Sequence, residues 1–193
     1  YLRRVDQFHA IGYNVVTYDY RGYGSSSEFE IDKGMYIYPH FQDDLQTMID
    51  YCRKSYTKNF DLYGWGMGGG LTLGVGYGRT EIRKIIADTP FLSMEDLEER
   101  FSSWDKPMEV PFAGYTKRYE PIHALSETPG KNLQGILIMV ASEDELLSVV
   151  DMKKLAGKSK LVKDIFVVEN PDRKDNFRVN TKAYSNRMAK FLN

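Results

Sequence analysis

Residues 60–70 read FDLYGWGMGGG. The apolar start, FDLY, is strand-forming text. It runs into glycine at every second position, and the chain then continues as LTLGVG at 71–76, small residues that suit a helix packed close to a sheet. The reading is strand, sharp turn, helix. The same alternation extends in both directions. Upstream, Leu2, Val5 and Phe8 mark one face of a short helix that Gly12 stops, and 13–18 (YNVVTY) reads as a buried strand. The turn-rich DYRGYGSSS follows at 19–27. Phe41, Leu45, Met48, Ile49 and Cys52 then recur at helical spacing. Downstream, 84–88, 135–140 (GILIMV) and 164–168 (DIFVV) are further strands, and Tyr184, Met188, Phe191 and Leu192 stripe a final helix. Short apolar strands separated by helices predict an α/β fold: a mostly parallel sheet with helices on both faces. The connections should be right-handed crossovers. Residues 102–132, rich in proline and aromatics, break the rhythm and read as a short cap or lid. Residues 1–193 are otherwise expected to form a single unit, which agrees with about 100–200 residues per domain.

Composition excludes several classes. Lys plus Arg number 26 and Asp plus Glu 27, for a net charge of −1. That balance argues against a protein built to hold nucleic acid phosphates. No run approaches the roughly 20 apolar residues of a membrane span. Cys52 is the only cysteine, so an intrachain disulfide framework and a CxxC zinc knuckle are ruled out. The three histidines, His9, His40 and His123, show no metal-ligand spacing, and neither metal nor cofactor is assigned. GYGSSS and GWGMGGG fit neither GxxxxGK[ST] nor GxGxxG. No leader is recognisable in the opening residues, and the sparse cysteine content leans to the cytosol.

The turn at 64–68 has the shape of the nucleophile elbow, G-x-S-x-G, in which a serine stands at the crest with its hydroxyl above the sheet. Gly64 and Gly68 flank the crest, and Gly66 occupies the serine position. Here the chain resembles the α/β-hydrolase superfamily, and within it the serine-hydrolase and aminopeptidase-like branch. GYNVVTYDYRGYGSS at 12–26 looks like that family's fourth strand and following loop, and LYGWGMGG at 62–69 like its elbow. YEPIHAL at 119–125 followed by GILIMVASEDELLSVVDMKKL at 135–155 looks like the region bearing the acid, which falls on Asp144. FVVENPDRKDNF at 166–177 looks like the segment bearing the catalytic histidine, a position held by Arg173. The resemblance implies that the family's first strands, with their oxyanion loop, lie ahead of Tyr1.

The departures from the pattern decide the expected chemistry. A triad needs a hydroxyl nucleophile, a base within hydrogen-bond reach and an acid that orients the base. Gly66 has no side chain to acylate. In this fold the histidine follows the acid, yet the last histidine, His123, precedes Asp144. Arg173 cannot take that role, because a guanidinium keeps its proton to beyond about pH 12. It could instead pair with Asp144 as a salt bridge. Glycine suits the crest, whose positive φ strains other residues by about 1–3 kcal/mol. The Met67 N–H remains an oxyanion-like donor, and Trp65, His40 and Tyr23 are expected near the pocket. His123 reads as structural, His9 as peripheral, Cys52 as a small buried hydrophobe, and 25–27 lack an elbow that would make a serine there a nucleophile.

The sequence therefore points to a catalytically silent hydrolase-like protein. It would bind a protein partner or a small apolar or acyl ligand at the former active-site pocket. The alternative is a working hydrolase or acyltransferase acting on an ester, thioester or amide through residues outside the triad positions. A third reading, an interaction subunit of an assembly, requires 102–132 to fill the pocket. The 14 tyrosines suit either sheet packing or an interface.

Overall fold

The computed structural model describes residues 2–144, 146–170 and 175–193. At its centre is β3, Gly135–Ala141, every residue of which is buried. A strand covered on both faces has no solvated side, so its sequence is continuously apolar. β2 (Ile82–Asp88) and β4 (Val162–Val168) flank it, and β1 (Phe60–Trp65) lies outside β2. All three pairings are parallel, giving a four-stranded sheet in chain order.

The helices are α1 (Leu2–Ala10), α2 (His40–Ser55), α3 (Met67–Gly76), α4 (Met94–Phe101), α5 (Pro121–Ala124), α6 (Val149–Ala156), α7 (Asn176–Val179) and α8 (Thr181–Leu192). Strand side chains alternate between two core layers, as the pleat requires. Ile136, Ile138 and Val140 pack with Phe41 of α2, Leu71 of α3, Leu97 of α4 and Met152 of α6. Leu137 and Met139 pack with Phe8 of α1 and with Tyr184 and Met188 of α8. Side-chain caps fix where several helices begin. Ser93 Oγ accepts from the Asp96 N–H at 3.1 Å, and Ser148 and Asp151 form a reciprocal capping box at α6.

One expected strand is absent. Residues 13–18 belong to no ladder, and the described strands number four rather than five. The side chains nevertheless alternate as in a strand: Tyr13 and Val15 reach the layer under α1 and α8, while Tyr18 and Tyr20 reach the layer under α2 and α3. The hydrophobic pattern specifies which face each side chain takes but supplies no backbone partner. Among the described residues β1 pairs only with β2, so its outer edge stays open beside this segment. Tyr20 is held through its ring, stacked on Phe41 with centroids 4.6 Å apart.

Residues 102–132 run across the layer under α2 and α3, with Met108, Val110, Tyr115, Tyr119 and Ile122 packed against it. The excursion is tied to the chain at Tyr36, whose N–H donates to the Glu109 carbonyl at 3.0 Å, while the Glu109 N–H donates to Gly34 at 2.8 Å.

Phe41 is 2% exposed and also carries Tyr38 and Tyr23 against its ring. Phe41→Ala is expected to destabilise the protein by about 3–5 kcal/mol, the range for emptying a buried aromatic site. Urea unfolding of the two proteins measures the difference.

Candidate functional site

β1 ends at Trp65, and the chain reverses through Gly66 at φ 57°, ψ −122° to enter α3. Two backbone bonds pin this crest. Gly66 N–H donates to the Asp88 carbonyl at 2.8 Å, and Gly70 N–H donates to the Gly66 carbonyl at 3.2 Å. The turn is tight enough that a Cβ on Gly64 would stand 2.1 Å from the Gly68 carbonyl oxygen. A Cβ on Gly66 would meet nothing within 4 Å. The positive-φ geometry is thus in place, and the space a side chain would fill is open.

That space belongs to a cavity of about 210 Å³ at the carboxyl ends of the strands. Tyr36, Trp65, Leu146 and Leu147 supply its apolar walls, and Thr89, Asp144, Asp175 and Asn176 supply polar ones. No residue from 102–132 lines it, and neither do His40 and Tyr23. His40 opens α2 with its ring 5.2 Å from Phe29, and Tyr23 is half exposed beside Phe41. His123 lies on α5, 3.6 Å from Glu120, and His9 is exposed on α1. Cys52 is only partly buried, and that burial pushes its thiol pKa up.

Asp144 lies in the turn after β3 and lines the cavity. Its Oδ1 accepts from the N–H groups of Leu146 and Leu147 at 3.0 and 2.8 Å, which shapes the local turn. Arg173, and with it the expected pairing with Asp144, lies outside the described residues. Asp175 pairs with Arg4, whose buried guanidinium lies 4.9 Å from the Trp65 ring centroid and 5.1 Å from that of Phe177. The cavity wall is thereby tied to α1.

A polar network beneath the cavity is the feature that sequence reasoning missed. Asp88, the last residue of β2, is fully buried. Its carboxylate accepts from Tyr184 Oη at 2.7 Å, Asn176 Nδ2 at 2.8 Å and Thr89 Oγ1 at 3.0 Å. Asn176 also donates to Thr89 Oγ1 at 3.2 Å and accepts from Asn170 Nδ2 at 3.0 Å. Tyr63 and Tyr184 share a hydrogen bond of 3.0 Å. Thr89 has φ 52°, the one positive φ at a non-glycine among the described residues. For a β-branched residue that costs on the order of 1–3 kcal/mol, and such strain gathers at functional sites. An aspartate closing an apolar strand at its carboxyl end was the available signal, since ligands in open α/β sheets bind outside those ends.

Desolvation raises the Asp88 pKa, against the three donors, which lower it. A carboxyl whose folded-state pKa is raised stabilises the fold most fully below the unfolded value of about 3.9. That contribution is lost as pH climbs through the raised folded value. Asp88→Asn removes the titration. The stability difference between the two proteins is therefore expected to shift in favour of the variant as pH rises from about 4 towards neutrality. Urea unfolding across a pH series reads this slope, and a pH-independent difference would contradict it.

Residues 1–113 match the family model described as serine aminopeptidase, S33. No curated protein sequence matches the chain. Among solved structures, the Pyrococcus furiosus esterase Pf2001 superposes with a TM-score of 0.74 at 18% identity, over 100% of this chain and 73% of that one. A monoacylglycerol lipase from Paleococcus ferrophilus gives 0.63 at 14% identity, over 98% and 87%. A lipase-esterase related protein from Clostridium acetobutylicum gives 0.59 at 15% identity, over 90% and 81%. At these identities the likeness is one of fold, and that fold is the α/β-hydrolase fold.

Proposed function

The chain belongs to the serine aminopeptidase, S33, family, and from that premise we propose that its pocket binds a small apolar or acyl ligand without turning it over by serine–histidine chemistry. The observation that carries this reading is Gly66: a crest at φ 57° with open space where the hydroxyl of a working elbow would stand. An acyl-enzyme at that position needs an oxygen that glycine lacks. None of the three histidines lines the cavity, so no imidazole among the described residues is available there to activate water.

The cavity supports binding in its own right. Leu146, Leu147, Trp65 and Tyr36 offer apolar contact, while Asn176 and Thr89 offer polar groups at the base. A mostly apolar concavity with a few convergent polar groups is the usual form of a small-ligand site. The volume of about 210 Å³ suits a short acyl chain better than a long one. Because residues 102–132 leave the cavity open, a ligand is favoured over an interaction subunit whose pocket is plugged by its own side chains.

Purified protein given p-nitrophenyl butyrate is expected to show no sustained turnover above buffer. A short-chain alkyl ketone, which cannot be hydrolysed, should change tryptophan fluorescence through Trp65. Gly66→Ser alone should restore no turnover, since a serine without a base lacks the general-base assistance that contributes about 10²–10⁴-fold. Gly66→Ser combined with Arg173→His should restore weak esterase activity. Sustained ester turnover by the natural chain that one substitution abolishes would overturn this reading.

A further inference from the structure

The β1–β2 register places a hydroxyl beside the vacant crest. Trp65 pairs with Asp88 across the two strands, so the next residues, Gly66 and Thr89, leave the sheet side by side. The Gly66 N–H bond to the Asp88 carbonyl, 2.8 Å, holds them together, and both residues line the cavity. Among the described residues that line it, Thr89 is the only serine, threonine or cysteine. The other lining hydroxyl belongs to Tyr36, whose burial raises its pKa and so disfavours the phenolate. Thr89 Oγ1 donates to Asp88 Oδ1 at 3.0 Å and accepts from Asn176 Nδ2 at 3.2 Å, which leaves one lone pair uncommitted. A nucleophile in contact with a proton acceptor that other groups hold in place is the minimal arrangement for acyl transfer. Asp88 is that acceptor, held by Tyr184 and Asn176.

We propose that Thr89 accepts one acyl group from an activated ester bound in the cavity, with Asp88 receiving the hydroxyl proton, and that the acyl-threonine then persists. This inference rests on the ligand reading above and extends it. Thr89 Oγ1 attacks the carbonyl carbon and forms the new C–O bond while its proton passes to Asp88 Oδ1. The Met67 N–H, in the first turn of a helix with no side-chain cap, is the donor for the carbonyl oxygen. The bond to the leaving group then breaks, and the departing alkoxide takes the proton from Asp88. The balance is threonine hydroxyl plus ester giving acyl-threonine plus alcohol. Deacylation needs a water in contact with a base, and Asp88 is fully buried beneath Thr89, Asn176 and Tyr184, so it serves the threonine hydroxyl and not a water in the cavity. The lining carboxylates are engaged elsewhere, Asp144 by the Leu146 and Leu147 N–H groups and Asp175 by Arg4. The outcome is stoichiometric labelling and no cycle.

The test is the full chain with p-nitrophenyl acetate at neutral pH, followed by nitrophenolate absorbance, intact mass and peptide mapping. The expected result is a burst close to one equivalent, one acetyl group mapped to Thr89 and no steady state. Thr89→Ser should retain the adduct and Thr89→Ala should lose it. Asp88→Asn should slow labelling by about 10²-fold or more, the usual contribution of a positioned base. Mapping on the natural chain requires no variant to fold. No adduct, an adduct on lysine or tyrosine instead, or an unchanged rate in Asp88→Asn would each overturn the proposal. If the alkyl ketone still changes tryptophan fluorescence in those cases, the ligand reading stands and only the Thr89 step fails. If the ketone has no effect, the ligand reading fails as well.

Discussion

A single main-chain hydrogen bond, from the Gly66 N–H to the Asp88 carbonyl, joins the end of β1 to the end of β2, and the rest of the site is arranged around it. It fixes the crest where the chain turns into α3. It also sets Asp88 facing inward and Thr89 facing the cavity. The following helix can approach because the residues at the bend carry almost no side-chain bulk; a Cβ at Gly64 would collide with the backbone of Gly68. The bend is thus a packing solution in its own right, with Gly66 at its crest.

Directly beneath lies a buried carboxylate, an arrangement that an apolar core tolerates only when hydrogen bonds replace water. Asp88 obtains them from its neighbour Thr89 and from two residues distant from it in the chain, Asn176 in α7 and Tyr184 in α8. These bonds fasten the C-terminal helices to the floor of the cavity. Arg4 completes the enclosure from α1 by pairing with Asp175 and lying over Trp65. The wall beside the crest is therefore assembled from both ends of the chain.

The sheet was largely legible because its strands are short, largely apolar runs, β3 the most completely. GILIMV reads as an interior strand and is one, and the stripe Phe41, Leu45, Ile49 is one face of α2. The segment 13–18 misled for a physical reason: alternation tells a side chain which layer to enter but cannot tell a backbone whom to pair with. Gly66 and Asp144 could be located because each follows a strand within a recognisable local pattern. Of the Asp88 network only Asp88 itself leaves a local trace, an aspartate closing an apolar strand; positions 176 and 184 join it through three-dimensional convergence alone. His40 and Tyr23 lie near the cavity in sequence logic, yet aromatic packing against Phe29 and Phe41 holds them elsewhere.

The open outer edge of β1 has a consequence for how this protein behaves in a crowded solution. An unsatisfied row of amides and carbonyls is a template on which any extended polypeptide can crystallise its own hydrogen bonds. The natural guard against such accretion is charge, and β1 offers only Asp61, already neutralised by the guanidinium of Arg83. At this rim the guard is the segment 13–18, tied on by the Tyr13 Oη bond to Asp61 Oδ2 at 3.0 Å, so shielding of the edge depends on a side-chain contact rather than on a backbone ladder.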